Sequence, residues 1–141
     1  MTSANEPTCT LRPNVEVVKQ VYDAFRRRDL AAALALYAQD VVLEQSSEVP
    51  WGGRYKGHEG ARISFARLAA LIDSTLALES FIDAGDSVVA IGRTRGSIRQ
   101  DGARYDVPFA HVWTVRGGLI VRVQYFIDNP AMLVALTPSS A

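Results

Sequence analysis

Two side chains that can exchange or donate a proton lie on neighbouring predicted strands near the C-terminus. His111 alternates with Phe109 and Trp113 along one strand, and Tyr125 alternates with Val123 along the next. Because residues i and i+2 of a strand share a face, both rings are predicted to point inward with their apolar neighbours. An imidazole titrates near neutrality and can act as a general acid or base, and a phenol can donate a hydrogen bond to a developing oxyanion.

A guanidinium, a lid and an apolar lining complete the predicted site. Arg93 can hold an enolate or a carboxylate, but both faces of its strand are mixed, so strand parity leaves its direction open. Trp51 lies in a glycine-rich loop at residues 46–57 and is interpreted as a lid over the cavity mouth in preference to a loop anchor. The cavity walls are predicted to be large apolar side chains, namely Phe65, Leu68, Phe109, Trp113 and Val123. Such a lining predicts a compact, largely hydrophobic small-molecule ligand or substrate with one polar handle.

Each polar candidate also has a structural interpretation. His111 can be a hydrogen-bonded core residue, and Tyr125 can pack with its hydroxyl at a rim. Arg93 and Arg95 can form ion pairs on the sheet surface, which we rank above a role in ligand binding. Their candidate partners are three carboxylates, namely Asp128, Glu79 and Asp106. Both interpretations stay open at the level of the sequence.

Three helices are predicted to precede the sheet. The first begins at an Asn14 N-cap, the second begins at an Asp29 N-cap, and the third has an apolar stripe along residues 61–72. The second helix has one apolar side, formed by Leu30, Leu34 and Tyr37. A short strand at residues 41–45 separates the second helix from the third.

The second half of the chain changes to a two-residue period, which predicts a sheet. Four strands follow one another at residues 75–82, 87–99, 103–115 and 119–128. Short glycine-containing segments between them favour hairpin turns. A tail helix follows, with Asp128 or Asn129 as its N-cap and Pro130 at its first position, so Asp128 is better explained as a cap than as a catalyst.

Composition excludes several classes of function. The chain has 141 residues, with 15 basic and 15 acidic side chains, so no net field favours nucleic acid or an anionic membrane. No apolar run approaches the roughly 20 residues of a membrane-spanning helix. The single cysteine, Cys9, cannot form an internal disulfide, and neither a metal-ligand spacing nor a glycine-rich phosphate loop is present, so no metal and no cofactor are expected. The N-terminal segment lacks the pattern of a signal peptide, and a cytoplasmic location is expected.

Three segments of the chain resemble a known superfamily. They are residues 17–40 (VVKQVYDAFRRRDLAAALALYAQD), 53–60 (GRYKGHEG) and 107–128 (VPFAHVWTVRGGLIVRVQYFID). Together they resemble SnoaL-like polyketide cyclases and ketosteroid-isomerase-related proteins of the nuclear-transport-factor-2-like superfamily. The resemblance implies an α+β, cystatin-like cone, in which a curved mixed or antiparallel sheet and three helices from the N-terminal half enclose a hydrophobic cavity.

The resemblance also implies a domain organisation and a partner. A single SnoaL-like domain is expected at residues 14–136, after a disordered or loosely attached tail at 1–13 and before a tail at 137–141. Relatives commonly pair through the outer face of the sheet, so a homodimer is expected. The fold hosts isomerases, cyclases, dehydratases, epoxide hydrolases and non-enzymatic binders, so it does not decide the function.

The ketosteroid isomerase mechanism is not expected to be retained. Its aspartate base, at the end of the first strand, falls on Gln45, an amide that cannot act as a base. Its helical tyrosine falls on Val21, with Tyr22 one residue away. Its protonated sheet aspartate falls on His111 when the shorter hairpin turn at residues 116–118 is allowed for, and on Ala110 when it is not. Gln45 and Tyr22 are therefore predicted to line the pocket.

The other relatives offer no complete set of catalytic residues either. The arginine and aspartate of the epoxide hydrolases fall on Arg93 and Arg95, and their last aspartate, which is also the cyclase base, falls on Tyr125. The residues that remain predict a cofactor-independent isomerase, cyclase or dehydratase, in which His111 transfers a proton on a small carbonyl compound and Tyr125 and Arg93 stabilise negative charge. The alternative is a non-catalytic protein of the same fold that binds a small ligand.

Overall fold

Four helices and six strands follow one another along residues 13–138, the part of the chain that the computed structural model describes. The helices are α1 (Pro13–Arg26), α2 (Leu30–Ala35), α3 (Gly57–Leu71) and α4 (Asn129–Leu136). The strands are β1 (Tyr37–Gln45), β2 (Gly53–Lys56), β3 (Ile72–Ala84), β4 (Ser87–Ile98), β5 (Arg104–Arg116) and β6 (Leu119–Ile127). This order confirms the predicted α+β class. The predicted terminal tails and Cys9 fall mostly on residues outside the described part.

The strands form one curved, mixed sheet in the order β2-β1-β6-β5-β4-β3. β1 and β6 run parallel, and every other neighbouring pair is antiparallel. The register places Gln45 beside Tyr125 and Tyr125 beside His111, so three predicted site residues stand in one row across β1, β6 and β5. β3 forms one edge of the sheet, and its pairing with β4 is interrupted where Glu79 bulges out of register.

Local signals position two of the helices as predicted. The Asp29 carboxylate accepts a hydrogen bond from the backbone N–H of Ala32 at 3.0 Å and caps α2, and the Asp128 carboxylate caps α4 through the N–H of Ala131 at 3.0 Å. The prediction for Asn14 is wrong, because α1 begins at Pro13 and the Asn14 amide donates to the carbonyl of Gly85 instead.

Several predicted boundaries need correction in the first half of the chain. Tyr37 begins β1 and does not belong to α2, and the loop predicted at residues 46–57 contains the short strand β2, which pairs with the edge of β1. α3 ends at Leu71, and Ile72 begins β3 because its backbone pairs with Ile98 of β4. The apolar pattern was right at these positions, but hydrogen-bonding partners on distant strands decide the backbone conformation.

Two clusters of buried side chains fill the concave face of the sheet. The aromatic cluster surrounds Trp113, which has no exposed surface, and includes Tyr22, Tyr37, Phe109 and Val123. The second cluster lies at the other end of the concave face and includes the buried residues Val49, Trp51, Ile72, Ile98, Tyr105, Val107 and Met132. None of the helices within residues 13–138 is long and apolar enough to cross a membrane.

Candidate functional site

A chain of hydrogen bonds links three side chains in the aromatic cluster. Trp113 Nε1–H donates to the Tyr22 hydroxyl oxygen at 2.9 Å, and that hydroxyl lies 2.6 Å from His111 Nδ1. His111 is 6% exposed, so strand parity correctly predicted that it faces inward. Tyr22 projects from α1 towards β5, and its pairing with His111 was not anticipated, because strand parity does not show which helical residues lie opposite a strand.

The hydrogen-bond chain favours one tautomer of His111. The Tyr22 oxygen could accept from both Trp113 and Nδ1–H, but its own proton would then have no acceptor within residues 13–138. With the imidazole proton on Nε2, Tyr22 donates to Nδ1 and its hydroxyl is satisfied, so we assign that tautomer. Burial lowers the pKa of His111 to about 3, which makes the ring neutral at physiological pH. His111 is therefore a hydrogen-bond donor at Nε2 in this structure, and its only basic nitrogen is already occupied.

Two tyrosine hydroxyls near this chain lack a hydrogen-bond partner. The hydroxyls of Tyr37 and Tyr125 are fully buried, and neither bonds to any group within residues 13–138. The two hydroxyls lie close together: their contact favours the protonated form of Tyr37 and the ionised form of Tyr125, as a weak hydrogen bond from Tyr37 to Tyr125 does, but the geometry falls short of a normal hydrogen bond. Burial raises the pKa of both phenols, so both stay protonated and can donate. The sequence prediction included Tyr125 and missed Tyr37, although Tyr37 has the same strand parity as Val41 and Leu43.

Aromatic rings surround these donors on several sides. His111 stacks on Phe109 with ring centroids 4.1 Å apart and meets Tyr125 edge-on at 4.8 Å. Phe65 of α3 contacts the Tyr37 ring at 6.3 Å. The buried polar side chains between residues 13 and 138 are His111 and Thr94, with no carboxylate among them. The interior therefore offers hydrogen-bond donors in an apolar setting.

A band of half-buried side chains separates the two clusters. Its members face the concave side but keep partial exposure, and they are Gln45, Phe65, Leu68, Tyr125 and Ile127. Gln45, Tyr125 and Ile127 also line an open cleft of about 440 Å³ at the ends of β1 and β6. The predicted pocket residues Gln45, Phe65, Leu68 and Tyr125 are thus brought to one region, beside the buried Phe109, Trp113, Val123 and Tyr22.

The structure does not bring Arg93 to this region. Its neighbours Val88, Ala90 and Thr94 are buried on the concave face, so Arg93 lies on the opposite face of the sheet. There its Nε–H donates to the Asp106 carboxylate at 2.7 Å. The predicted role of Arg93 beside His111 is therefore corrected to a surface ion pair, the structural alternative.

Arg95 and Asp128 also follow their structural interpretations. Arg95 shares the Asp106 carboxylate at 3.1 Å, and these arginines hold the pKa of Asp106 below its usual value, the Arg93 hydrogen bond being the main cause. Asp128 caps α4 as predicted. A second open pocket, of about 290 Å³, lies beside Arg95 and Arg104 on this side and contains no predicted site residue.

Trp51 anchors its loop and does not act as a lid. Its side chain is buried in the second cluster. The Tyr55 hydroxyl donates towards the carbonyls of Trp51 and Gly52, at 3.0 and 3.1 Å, and accepts a hydrogen bond from Arg67 at 2.8 Å. Residues 13–138 contain no group of three His, Cys, Asp or Glu side chains placed to hold a metal ion.

Comparisons with known proteins agree on one family. Residues 18–123 match the SnoaL-like domain. An uncharacterised protein of Mycobacterium tuberculosis is 30% identical over 121 residues, which cover 84% of this chain and 91% of the relative. A crystal structure of an NTF2-like protein from Burkholderia thailandensis has a TM-score of 0.82 at 33% identity, covering 87% of this chain and 96% of that one. TerC, co-crystallised with polyporic acid, has a TM-score of 0.80 at 29% identity, covering 88% and 98%. The resemblance seen in the sequence is confirmed, and the chain belongs to the SnoaL-like domain family.

Proposed function

We propose that the chain binds a compact carbonyl compound in its interior through the carbonyl oxygen. The supporting observation is the pair of buried hydroxyls, Tyr37 and Tyr125, which lie close together and make no hydrogen bond of normal geometry within residues 13–138. A buried polar group without a partner costs about 1–3 kcal/mol, and folded proteins keep few of them. One ligand oxygen with two lone pairs can accept a hydrogen bond from each hydroxyl, which removes that cost on binding.

The chemistry around the two hydroxyls supports this class of ligand. The rings of Phe65 and Phe109 favour an apolar or aromatic body, because they offer surface that gains free energy when a ligand covers it. The buried polar groups of the described region are donors without a balancing carboxylate, which favours a ligand that accepts hydrogen bonds. TerC, a structural neighbour at 29% identity, was co-crystallised with an organic compound, polyporic acid, which supports a ligand of this general kind.

Replacing either hydroxyl is expected to weaken binding without weakening the fold. In Tyr37→Phe and Tyr125→Phe an unpartnered hydroxyl is removed, so the free energy of unfolding is expected to stay level or to rise by about 1 kcal/mol. Ligand affinity is expected to fall about tenfold in each variant, which corresponds to one hydrogen bond of about 1.4 kcal/mol. Urea denaturation measures the first quantity, and isothermal titration calorimetry measures the second.

Tyr105→Phe is the matched control for this experiment. The Tyr105 hydroxyl is also buried and makes no hydrogen bond of normal geometry within the described region, although the hydroxyls of Thr94 and Ser74 lie near it. It belongs to the second cluster, so its removal is expected to leave affinity unchanged. Ligands are first selected by thermal shift from ketones, quinones and aryl aldehydes, with polyporic acid included. Equal affinities in wild type and in both variants, or no ligand in the whole panel at millimolar concentration, would contradict the proposal.

A second candidate function is cofactor-independent proton transfer on the same ligand, of the isomerase, cyclase or dehydratase type. The observation that favours it is the chain from Trp113 through Tyr22 to His111. His111 can donate a hydrogen bond from Nε2 to the oxygen of a developing enolate while Tyr22 stays protonated and donates to Nδ1, so no side chain of the cluster has to carry a charge in its apolar surroundings. The low pKa of His111 argues against direct proton abstraction by a free imidazole.

Exchange of carbon-bound protons separates the catalyst from the binder. If the chain is an enzyme, a bound ketone is expected to take up deuterium next to its carbonyl in D₂O, and His111→Gln is expected to slow this about 10²-fold or more. Proton NMR measures the exchange. Unchanged exchange in His111→Gln contradicts the role of His111, and no exchange in wild type leaves the binding function as the correct one.

The homodimer through the outer face of the sheet stays a prediction of the family resemblance. That face carries Phe126, which is 52% exposed, and a charged border that includes Arg93 and Asp106. An exposed aromatic ring within a polar border is typical of surfaces that associate.

A further inference from the structure

We propose that His58 is a positioning residue, whose imidazole holds the backbone of Tyr37 so that the Tyr37 hydroxyl stays beside that of Tyr125. This inference rests on the proposed function, because one ligand oxygen can accept from both hydroxyls only while they remain close together. His58 lies in the first turn of α3 and belongs neither to the aromatic cluster nor to the hydrogen-bond chain within it.

Strand pairing holds Tyr125 on both sides but holds Tyr37 less firmly. Tyr125 of β6 pairs in regular register with β1 on one side and with β5 on the other. Tyr37 pairs with Ile120 of β6, but the register of β1 and β6 then shifts and resumes only at Val42. Tyr37 therefore lies beyond the regular part of the ladder that fixes Tyr125.

The backbone that follows Tyr37 departs from a regular strand. Val41 is buried on the same side as Tyr37, whereas Gln39, which lies between them at the same parity, is exposed. On its other edge β1 pairs with β2 only at residues 42–45, because the chain leaves β2 and begins α3 at Gly57. An irregularity of this kind turns a side chain in a new direction, and the backbone groups that it leaves without a strand partner need another one.

The imidazole of His58 supplies that partner. Its Nε2 lies 2.9 Å from the Tyr37 carbonyl oxygen, and because a carbonyl can only accept, Nε2 carries the proton and donates. Gly57 permits this approach, since its φ of 74° is one that glycine adopts without strain. A methyl group added to Gly57 would lie 3.3 Å from the carbonyl oxygen of Gln39. The start of α3 is thus in close contact with the irregular part of β1, and His58 joins the two.

A movement of the Tyr37 backbone is expected to move its hydroxyl as well. The phenol is rigid, and the rings of Phe65 and Trp113 confine it, with centroids 6.3 and 6.4 Å away. The Tyr125 hydroxyl, on a regularly paired strand, would not follow this movement. Loss of the bond from His58 is therefore expected to separate the two hydroxyls, and a ligand oxygen would then accept a well-aligned hydrogen bond from only one of them.

NMR of protein labelled with ¹³C at the tyrosine Cζ atoms tests the role of His58 without any ligand. Each Cζ resonance reports the surroundings of its hydroxyl, and the spectra of Tyr37→Phe, Tyr125→Phe and Tyr105→Phe assign three of the five tyrosines. In His58→Ala the Tyr37 resonance is expected to shift or broaden. The Tyr105 resonance, which reports on the second cluster, is expected to stay in place.

Three variants separate positioning from a general loss of structure. The amide nitrogen of glutamine lies as many bonds from Cα as the imidazole Nε2, so His58→Gln is expected to restore the Tyr37 resonance. His58→Asn is one bond too short and is expected to resemble His58→Ala, which it replaces if the alanine variant folds poorly. Glu59→Ala removes an exposed neighbour that pairs with Arg62, and it is expected to leave the Tyr37 resonance in place. An unchanged Tyr37 resonance in His58→Ala and His58→Asn, or an equal change in Glu59→Ala, overturns the proposal.

A double-mutant cycle extends the test to binding once the panel of carbonyl compounds has given a ligand. His58→Ala is expected to lower affinity several-fold in the wild-type background and to have no further effect in Tyr37→Phe, where the hydroxyl that it positions is already absent. An equal loss in both backgrounds would show that His58 acts through another group and overturns the proposal. If no compound binds, the proposed function fails, whereas the NMR spectra still decide whether His58 positions Tyr37.

Discussion

Acidification from pH 7 to pH 4.5 is expected to lower the free energy of unfolding by about 2.5 kcal/mol through His111 alone. Burial depresses the pKa of this imidazole to about 3 in the folded chain, against 6.5 for an imidazole in water. Between those two values the unfolded chain binds a proton that the folded chain excludes, so each pH unit costs about 1.4 kcal/mol. Above pH 6.5 both states are neutral and the contribution is constant. Urea denaturation at several pH values between 7 and 4.5 measures it.

His111→Gln is the control for this pH dependence. Glutamine can still accept the Tyr22 proton but does not titrate, so the steep loss of stability below pH 6.5 is expected to disappear. Asp23 and Asp106 also have lowered pKa values, because of hydrogen bonds to Arg27 and to Arg93 respectively. Their contributions are lost only below about pH 4 and are the same in both proteins. Parallel pH profiles for wild type and His111→Gln would show that the imidazole is not buried as described.

Truncation of Trp113 is expected to have the largest effect on stability of any single change in the sheet. Trp113→Ala is expected to lower the free energy of unfolding by about 3–5 kcal/mol, since the indole is fully buried and its loss leaves a large cavity. It also removes the N–H that donates to Tyr22. Denaturant unfolding followed by circular dichroism measures the change.

Trp113→Phe and Val134→Ala bracket that result. Trp113→Phe keeps much of the buried volume but removes the N–H, so its free energy of unfolding is expected to fall less than that of Trp113→Ala. The difference between the two variants measures the contribution of packing. Val134 is 75% exposed on α4, and its replacement by alanine is expected to change stability by less than about 0.5 kcal/mol. A loss of less than 1 kcal/mol in Trp113→Ala would contradict the packed arrangement of the aromatic cluster.

The strands of the second half were predictable because each has one dominant apolar face. Alternation along β5 correctly turned His111 and Trp113 inward, and both helix caps, Asp29 and Asp128, acted as their residue types predict. β2 was missed because four residues in a glycine-rich segment show no useful period, and only pairing with β1 makes them a strand. The start of β1 was missed because Tyr37 has helical spacing from Leu30 and Leu34, and only its pairing with Ile120 of β6 makes it a strand residue.

The site was predictable only as far as strand parity reaches. Strand parity predicted that His111 and Tyr125 face the interior, but it did not decide which face of the sheet Arg93 lies on. The Asp106 carboxylate that binds Arg93 on the outer face comes from a different strand. The link from Tyr22 to His111 joins residues 89 positions apart in the chain, which no local pattern contains. The low pKa of the imidazole likewise follows from three-dimensional burial, which turns the predicted acid/base residue into a neutral donor.

The bulge at Glu79 affects how copies of this chain can meet. An extended edge strand offers a row of unpaired N–H and C=O groups on which a foreign strand can assemble. β3 is 13 residues long, but the bulge breaks that row and adds a negative charge, and β2 at the opposite edge is only four residues long. Strand-to-strand growth, the first step towards fibrils, is thereby discouraged at both edges.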